Sequence, residues 1–247
     1  GALGNPHVKT PTIDALVTEG TAFTHAYCQS PICTPSRASF LTGMYPSRVH
    51  NTRNGNESFP NFPPVITKLI ADAGYQCGVR ERGGDLDEFR ASEDRVPAEL
   101  HQTTWASERS IEFIRQKRDC PWLLSVNIYD PHPPFIPPRA YLDMFNPDDM
   151  PGPHFQESDL AQQAKLAGVD FQGEVKTPDE RNGKLIQAQY YAMIALIDDQ
   201  FARILNVLEE TGQRENTVII FTSDHGESLG DHGLLEKGCR FYEGLVR

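Results

Sequence analysis

The apolar positions of the chain fall into blocks whose spacing switches between a helical and an extended period. Thr10-Pro11 opens a block with Ile13, Leu16 and Val17 on one face and a stop at Gly20, which predicts a helix with proline in its first turn. Thr21–Gln29 alternates weakly and predicts a short strand. Val65–Ala73 predicts a helix stopped by Gly74, followed by a short strand over Tyr75–Val79. Thr104–Lys117 predicts an amphipathic helix with Ile111 and Ile114 inward. Trp122–Tyr129 is a mostly apolar run of strand length, the form taken by strands of a sheet covered on both faces. Residues 46–64, rich in Asn, Pro, Ser and Gly, predict a loop. So does the Pro-rich stretch 131–173, whose length marks it as a functional or mobile loop.

Thr177-Pro178-Asp179-Glu180 has the form of a capping box, with Glu180 placed to reach back to the N-cap amide. It is expected to open a helix to about Glu210 with Leu185, Tyr190, Ile194, Ile197, Phe201, Ile204 and Leu208 on its apolar face and a stop at Gly212. Thr217–Thr222 predicts a buried strand. Helices and strands alternate with gaps of crossover length. The fold class expected is therefore α/β, a largely parallel central sheet with helices on both faces.

The 247 residues can bury one good core. A net charge of −11 argues against a nucleic-acid backbone as partner. It leaves room for a small anion, which responds to the local charge of a cleft. No apolar run approaches the roughly 18 residues that span a membrane. The five cysteines (28, 33, 77, 120 and 239) are odd in number and lack close pairing, which reads as reduced thiols and leans toward the cytoplasm. No signal peptide stands at the start, and residue 1 leads almost directly into helix-forming sequence. The true N-terminus is therefore expected to lie outside these residues.

Chemistry concentrates in Pro31–Gly43. Thr34 can serve as N-cap, Pro35 as first helical residue and Gly43 as C-terminal stop. Cys33 then sits just before a helix N-terminus, where free N–H groups and the helix dipole favour an anion. Arg37 adds a fixed cation that can fork onto an oxyanion. The plainer reading is a helix start that carries an inert cysteine. Two predicted strands end in Asp130-Pro131-His132 and in Ser223-Asp224-His225-Gly226-Glu227, the ends outside which α/β sheets bind ligands. Asp224 and His225 can reach one divalent cation, although a solvated acidic turn has the same composition. Asp231-His232 repeats the pair, so a local zinc site is an alternative, without cysteines at zinc-finger spacing. Lys237, taken alone, is an ordinary solvated lysine.

Pro31-Ile32-Cys33-Thr34-Pro35-Ser36-Arg37 followed by Phe40-Leu41-Thr42-Gly43 resembles the first signature of the type I, formylglycine-dependent sulfatases of the alkaline phosphatase superfamily. Ser223–Glu227 followed by Gly230-Asp231-His232-Gly233 resembles that family's C-terminal metal motif. Asp130-Pro131-His132 with Pro134-Phe135 resembles the segment whose histidine contacts the sulfate ester. Glu236-Lys237-Gly238 before Phe241-Tyr242-Glu243-Gly244 resembles a turn whose lysine binds a sulfate oxygen, with Lys237 one residue further from Tyr242-Glu243 than in many members.

The resemblance implies metal-dependent hydrolysis of a small-molecule or carbohydrate sulfate monoester, releasing inorganic sulfate. Cys33 would be oxidised to formylglycine by a formylglycine-generating or sulfatase-maturing enzyme. One hydroxyl of its hydrate would attack sulfur and the other would later expel sulfate. Cys33, Arg37, His132 and Lys237 would be catalytic, and Cys33, Asp224 and His225 would bind the cation. Calcium is expected, with manganese or magnesium also admitted.

The chain departs from that pattern in three places. It has no apolar strand ending in an Asp-Asp pair before Asn5-Pro6. Gly74-Tyr75-Gln76-Cys77-Gly78 continues into Val79-Arg80-Glu81-Arg82 where the family has Gly-Lys-x-His. The family also continues beyond Gly244–Arg247 into a smaller lobe. One sulfatase-like catalytic domain is expected over residues 1–247, incomplete at the N-terminus, after Gly78 and at the C-terminus. Three rival readings remain: a phosphonate monoester or phosphodiester hydrolase with the same machinery, an unmodified cysteine hydrolase needing a histidine beside Cys33, and a non-catalytic binder of sulfated ligands.

Overall fold

The computed structural model describes residues 1–49, 53–55, 64–81, 96–165, 168–169, 176–238 and 240–247. Most of the predicted 46–64 loop, residues 82–95 and Cys239 lie outside the described residues. The chain divides into two compact units, one of residues 1–22, 74–150 and 184–219, the other of 23–73, 151–183 and 220–247.

The first unit is α/β with a parallel sheet. Strands β1 (Gln76–Glu81) and β2 (Trp122–Asn127) pair in parallel, Gln76 opposite Trp122 and Glu81 opposite Asn127. Helix α4 (Gln102–Arg115) packs on this pair. Ile111 and Ile114 of α4 are buried, as the apolar spacing predicts, with Ile204, Val207 and Leu208 of the long helix α7 (Glu180–Glu210). Trp122, Leu124 and Val126 pack against this cluster, the two-residue period placing them on one face of β2. Gly78 serves the same contact, since a Cβ there would lie 2.8 Å from the Phe113 ring. A second cluster sets Phe145 and Met150 against Ala188, Ala192 and Ala195, whose small side chains let α7 approach closely.

Helix α1 (Pro11–Glu19) starts at Thr10 and ends at Gly20 as expected. None of its residues is buried, so contacts made by its backbone matter more. Asp198 of α7, 1% exposed, accepts hydrogen bonds from the Thr12 and Ile13 amides at 3.0 and 2.8 Å. These are donors that the helix leaves without internal partners, and a carboxylate suits that helix end.

The second unit holds α2 (Cys33–Thr42), α3 (Ile66–Asp72), α6 (Glu157–Ala164) and α8 (Glu243–Val246). In the first unit, α5 (Arg139–Leu142) is a single turn.

Several expectations are corrected. Thr21–Gln29 and Thr217–Thr222 carry no strand, and among the described residues the sheet has two strands. Val218 and Ile220 are 89% and 82% exposed while Ile219 packs on the Ile111 cluster, and the run pairs with no strand among the described residues. In the stretch 131–173 the described residues carry α5, a turn of 3-10 helix at Pro147–Asp149 and α6. Asp159 reaches back to the Gln156 amide at 2.8 Å to start α6. Helix α7 starts from Asp179, whose carboxylate accepts from the Asn182 amide at 2.7 Å, two residues later than Thr177. Leu185 is exposed, and Ala188, Ala192, Met193, Ala195 and Leu196 are buried in its place.

Asp198→Asn is expected to destabilise the protein by about 1–3 kcal/mol, because one of two buried N–H groups then faces an amide NH2. A urea-unfolding midpoint equal to that of the wild type would show that Asp198 is not the anchor of α1.

Candidate functional site

The candidate site in the second unit grows from the first turn of α2. Its N-cap is Ile32, and Cys33 is the first helical residue, two positions earlier than the sequence suggests. Pro35 allows either start, because the first four amides of a helix have no intrahelical acceptor. Extended Ile32 fixes the choice, its carbonyl accepting from Ser36 N at 3.0 Å. The Asn54 side chain accepts from the Thr34 amide at 2.9 Å, a cap supplied from outside the motif. Gly43 closes the helix in the left-handed conformation, at φ 69°.

Three contacts clamp this turn to Asp224-His225. The Ser36 hydroxyl donates to the Asp224 carbonyl at 2.5 Å, Arg37 Nε donates to Asp224 Oδ2 at 3.0 Å, and Cys33 Sγ lies 3.2 Å from His225 Nε2. Asp224 Oδ1 accepts from the His225 amide at 3.1 Å. His225 Nδ1 lies 2.8 Å from the Gly226 carbonyl, which can only accept. In the neutral ring the proton is therefore on Nδ1 and the Nε2 lone pair faces Cys33. Burial pulls the His225 pKa down, but the Cys33 hydrogen bond, the Asp224 charge and the Gly226 carbonyl outweigh it and leave the pKa raised.

Cys33, Asp224 and His225 each offer a ligand atom, and these atoms lie within 4.8 Å of one another. A sulfur or oxygen, a carboxylate and an imidazole lone pair are donors a divalent cation accepts, so the residues fit such an ion. Cys33 Sγ forms part of no disulfide among the described residues, nor do Cys28, Cys77 and Cys120.

Lys237, read from sequence as a solvated lysine unless the motif holds, is nearly enclosed. Its Nζ donates to Glu227 Oε2 at 3.0 Å, with side chains 12% and 4% exposed. Burial raises the Glu227 pKa, and the Lys237 charge works against that rise. Glu227 was missed as a site residue although it stands in the same short motif as Asp224 and His225. Its signal was a carboxylate ten residues before a lysine. Asn54 carried no signal in the sequence.

Asp231 and His232 build a separate cluster. Asp231 Oδ1 accepts from the His154 amide at 2.6 Å, and His232 Nδ1 lies 3.3 Å from Asp159 Oδ1. The His232 ring stacks on Tyr242 with centroids 4.0 Å apart. The zinc reading of this pair finds no support, since the group of metal-ligand side chains among the described residues is Cys33, Asp224 and His225. A cleft of about 260 Å³ runs beside Glu227, His232 and Tyr242, and Cys33 is not in its wall.

His132 belongs to the first unit. Its Nδ1 lies 2.7 Å from the Pro133 carbonyl, so the neutral ring keeps its lone pair on Nε2. The turn that carries it is braced by Asp130, whose fully buried carboxylate accepts from Gln102 Nε2 at 2.9 Å and from the Thr103 hydroxyl, with His101 Nδ1 at 3.3 Å.

A family model described as Sulfatase matches residues 1–247. An arylsulfatase of Clostridium perfringens is 29% identical over 309 residues, covering 100% of this chain and 64% of that protein. A multifunctional alkaline phosphatase superfamily protein of Trinickia caryophylli is 29% identical, covering 94% of this chain and 60% of that protein. The crystal structure of a phosphonate monoester hydrolase of Agrobacterium radiobacter superposes with a TM-score of 0.85 at 26% identity, covering 99% of this chain and 63% of that one. The chain thus spans less than two thirds of the length of these relatives.

Gly226 is the tightest point of the candidate site. Its amide donates to the Leu245 carbonyl at 2.8 Å, and a Cβ on it would lie 1.9 Å from the Gly244 carbonyl oxygen. Gly226→Ala is expected to force the two backbones apart and lower stability by about 3 kcal/mol. Thermal unfolding checks this, and an unchanged midpoint would contradict so close a contact.

Proposed function

Because the chain belongs to the sulfatase family of the alkaline phosphatase superfamily, we propose that it takes part in the metal-dependent hydrolysis of sulfate monoesters, releasing inorganic sulfate, with formylglycine derived from Cys33 as nucleophile. The observation that carries this reading is the convergence of Cys33 with the distant pair Asp224-His225, within 4.8 Å at a helix N-terminus. The Cys33 sulfur stands in for the hydrate oxygens of formylglycine. A divalent cation, calcium in the first instance, would be held by Asp224, His225 and position 33, and would supply Lewis acidity toward the nucleophile and one sulfate oxygen. A formylglycine-generating or sulfatase-maturing enzyme would install the aldehyde.

The residues of the chain do the rest. His225 Nε2, 3.2 Å from Cys33 Sγ, and the Asp224 carboxylate, held by Arg37, would keep the cation beside the atom at position 33. Arg37, held against Asp224, and Lys237, held against Glu227, direct N–H groups at oxygens that gain charge as the ester bond breaks. His132 is proposed, on the motif resemblance, as a group that meets the ester; with its Nδ1–H held by the Pro133 carbonyl, it donates to the leaving oxygen from Nε2 in its protonated form. The substrate class is a small-molecule or carbohydrate sulfate ester.

Two other readings have specific support. The similarity to the phosphonate monoester hydrolase favours a phosphonate monoester or phosphodiester as substrate, since a tetrahedral oxyanion meets the same charges. The 3.2 Å contact of Cys33 with His225 Nε2 places the base that an unmodified cysteine hydrolase requires.

Peptide mass spectrometry across Cys33 separates the last reading, with an aldehyde expected and a thiol in the active protein overturning the proposal. Turnover of an aryl sulfate above that of an aryl phosphonate is expected of the full-length protein. Cys33→Ala should abolish turnover, and Arg37→Ala should lower kcat on the order of 10²–10³-fold, as loss of one oxyanion donor does.

A further inference from the structure

We propose that Glu227 is a specificity-determining residue: by holding Lys237 in a neutral ion pair, it makes the site prefer singly charged esters to doubly charged ones. The inference deepens the proposed function and rests on its reading of Lys237 as a group that meets ester oxygens.

Glu227 Oε2 and Lys237 Nζ are 3.0 Å apart, and neither side chain is much exposed to water. Each is tied to the other by the backbone of their own loop. The Ser228 amide donates to Glu227 Oε1 at 3.3 Å, while the Ser228 hydroxyl donates to the carbonyl of Glu236, the residue before Lys237. The carboxylate therefore cannot swing away when an anion arrives. An ammonium has three donors, so the pair leaves N–H groups for an ester oxygen.

The field behind those N–H groups is what Glu227 alters. An oxygen about 3 Å beyond Nζ would sit about 6 Å from the Glu227 carboxylate, so repulsion cancels about half of the attraction. That loss scales with the charge of the ester. A phosphate monoester, with nearly two charges at neutral pH, loses about twice what a sulfate or phosphonate monoester loses with one. Arg37 shows the same arrangement, its Nε 3.0 Å from Asp224 Oδ2. The second unit thus presents cation–carboxylate pairs in place of bare cations. A pair that served only to pin the loop would weaken all esters alike when broken.

The test compares the full-length wild type with Glu227→Gln, using 4-nitrophenyl sulfate and 4-nitrophenyl phosphate at about pH 8, where the phosphate is dianionic. The ratio of kcat/KM for phosphate over that for sulfate is expected to rise by about tenfold or more. An unchanged ratio, with both substrates falling together, would overturn the inference. Removing one member of a buried pair can prevent folding. The same substitution is therefore also made in a Lys237→Met background, where it removes a lone buried charge. Affinity for inorganic sulfate, a dianion, relative to methanesulfonate, a monoanion, measured by calorimetry, should again rise, and a constant relative affinity would count against Glu227. The calorimetric arm needs no turnover. A wild type inactive on both esters would refute the proposed hydrolysis and leave the charge selection to be decided by binding.

Discussion

The Asp224 main-chain carbonyl, held by the Ser36 hydroxyl at 2.5 Å, is the bond on which the candidate site depends. It joins a helix turn to a segment 188 residues later in sequence, and it does so through groups that take no part in chemistry. With that register fixed, two side-chain contacts follow. Arg37 meets the Asp224 carboxylate, and Cys33 meets the His225 ring. A shift of one residue on either side would point the imidazole lone pair elsewhere. The segment is held from its other side by the Gly226 amide on Leu245, and the next residue, Val246, accepts from the Cys28 amide. The absence of a side chain at Gly226 is what lets two backbones pass at that distance.

Local pattern made the helices legible. Helix α1 and its Gly20 stop, α2 and its Gly43 stop, and the inward Ile111 and Ile114 of α4 all follow from spacing and terminators within a few residues. What pattern could not supply was the identity of neighbours. Thr217–Thr222 has the composition of a central strand, yet Val218 and Ile220 face water and the run joins neither described strand. Strand propensity reports how well a residue fits a pleated, covered surface, so it cannot say whether the surface is there. Helix starts failed for a related reason. Thr34 and Thr177 are good caps in isolation, but Asn54 and Asp179 hold the amides that matter.

The site divides along the same line. The motifs pointed to Cys33, Arg37, Asp224, His225 and Lys237, and the structure brings the first four together within the second unit. Lys237 is enclosed with Glu227, while His132 lies in the first unit. Partners were invisible, because a hydrogen-bond acceptor leaves no periodic trace in a sequence. That is why Glu227, one residue beyond Gly226 in a recognised string, was read past. The Asp130 network shows the same limit. Its carboxylate is satisfied by His101, Gln102 and Thr103 from the start of α4, residues that belong to no chemical motif, so that role is encoded in the packing of a helix end beside a strand end.

A chain of net charge −11 that hydrolysed an anionic ester, as proposed, would have to solve a field problem. Bare cations would attract every anion strongly and would be costly to bury. The arrangement here pairs Arg37 with Asp224 and Lys237 with Glu227, so each cation is stabilised by a carboxylate. Such pairs act as oriented dipoles. Their field falls off faster with distance than that of a free charge, so they discriminate by where an oxygen sits as much as by whether it is negative. Position is then set by the hydrogen bonds that hold the pairs. A site that must stabilise charge developing on particular oxygens of a tetrahedral group gains more from fixed dipoles at those oxygens than from a diffuse positive potential, because the ground-state ester and its transition state differ in where their charge lies more than in how much they carry.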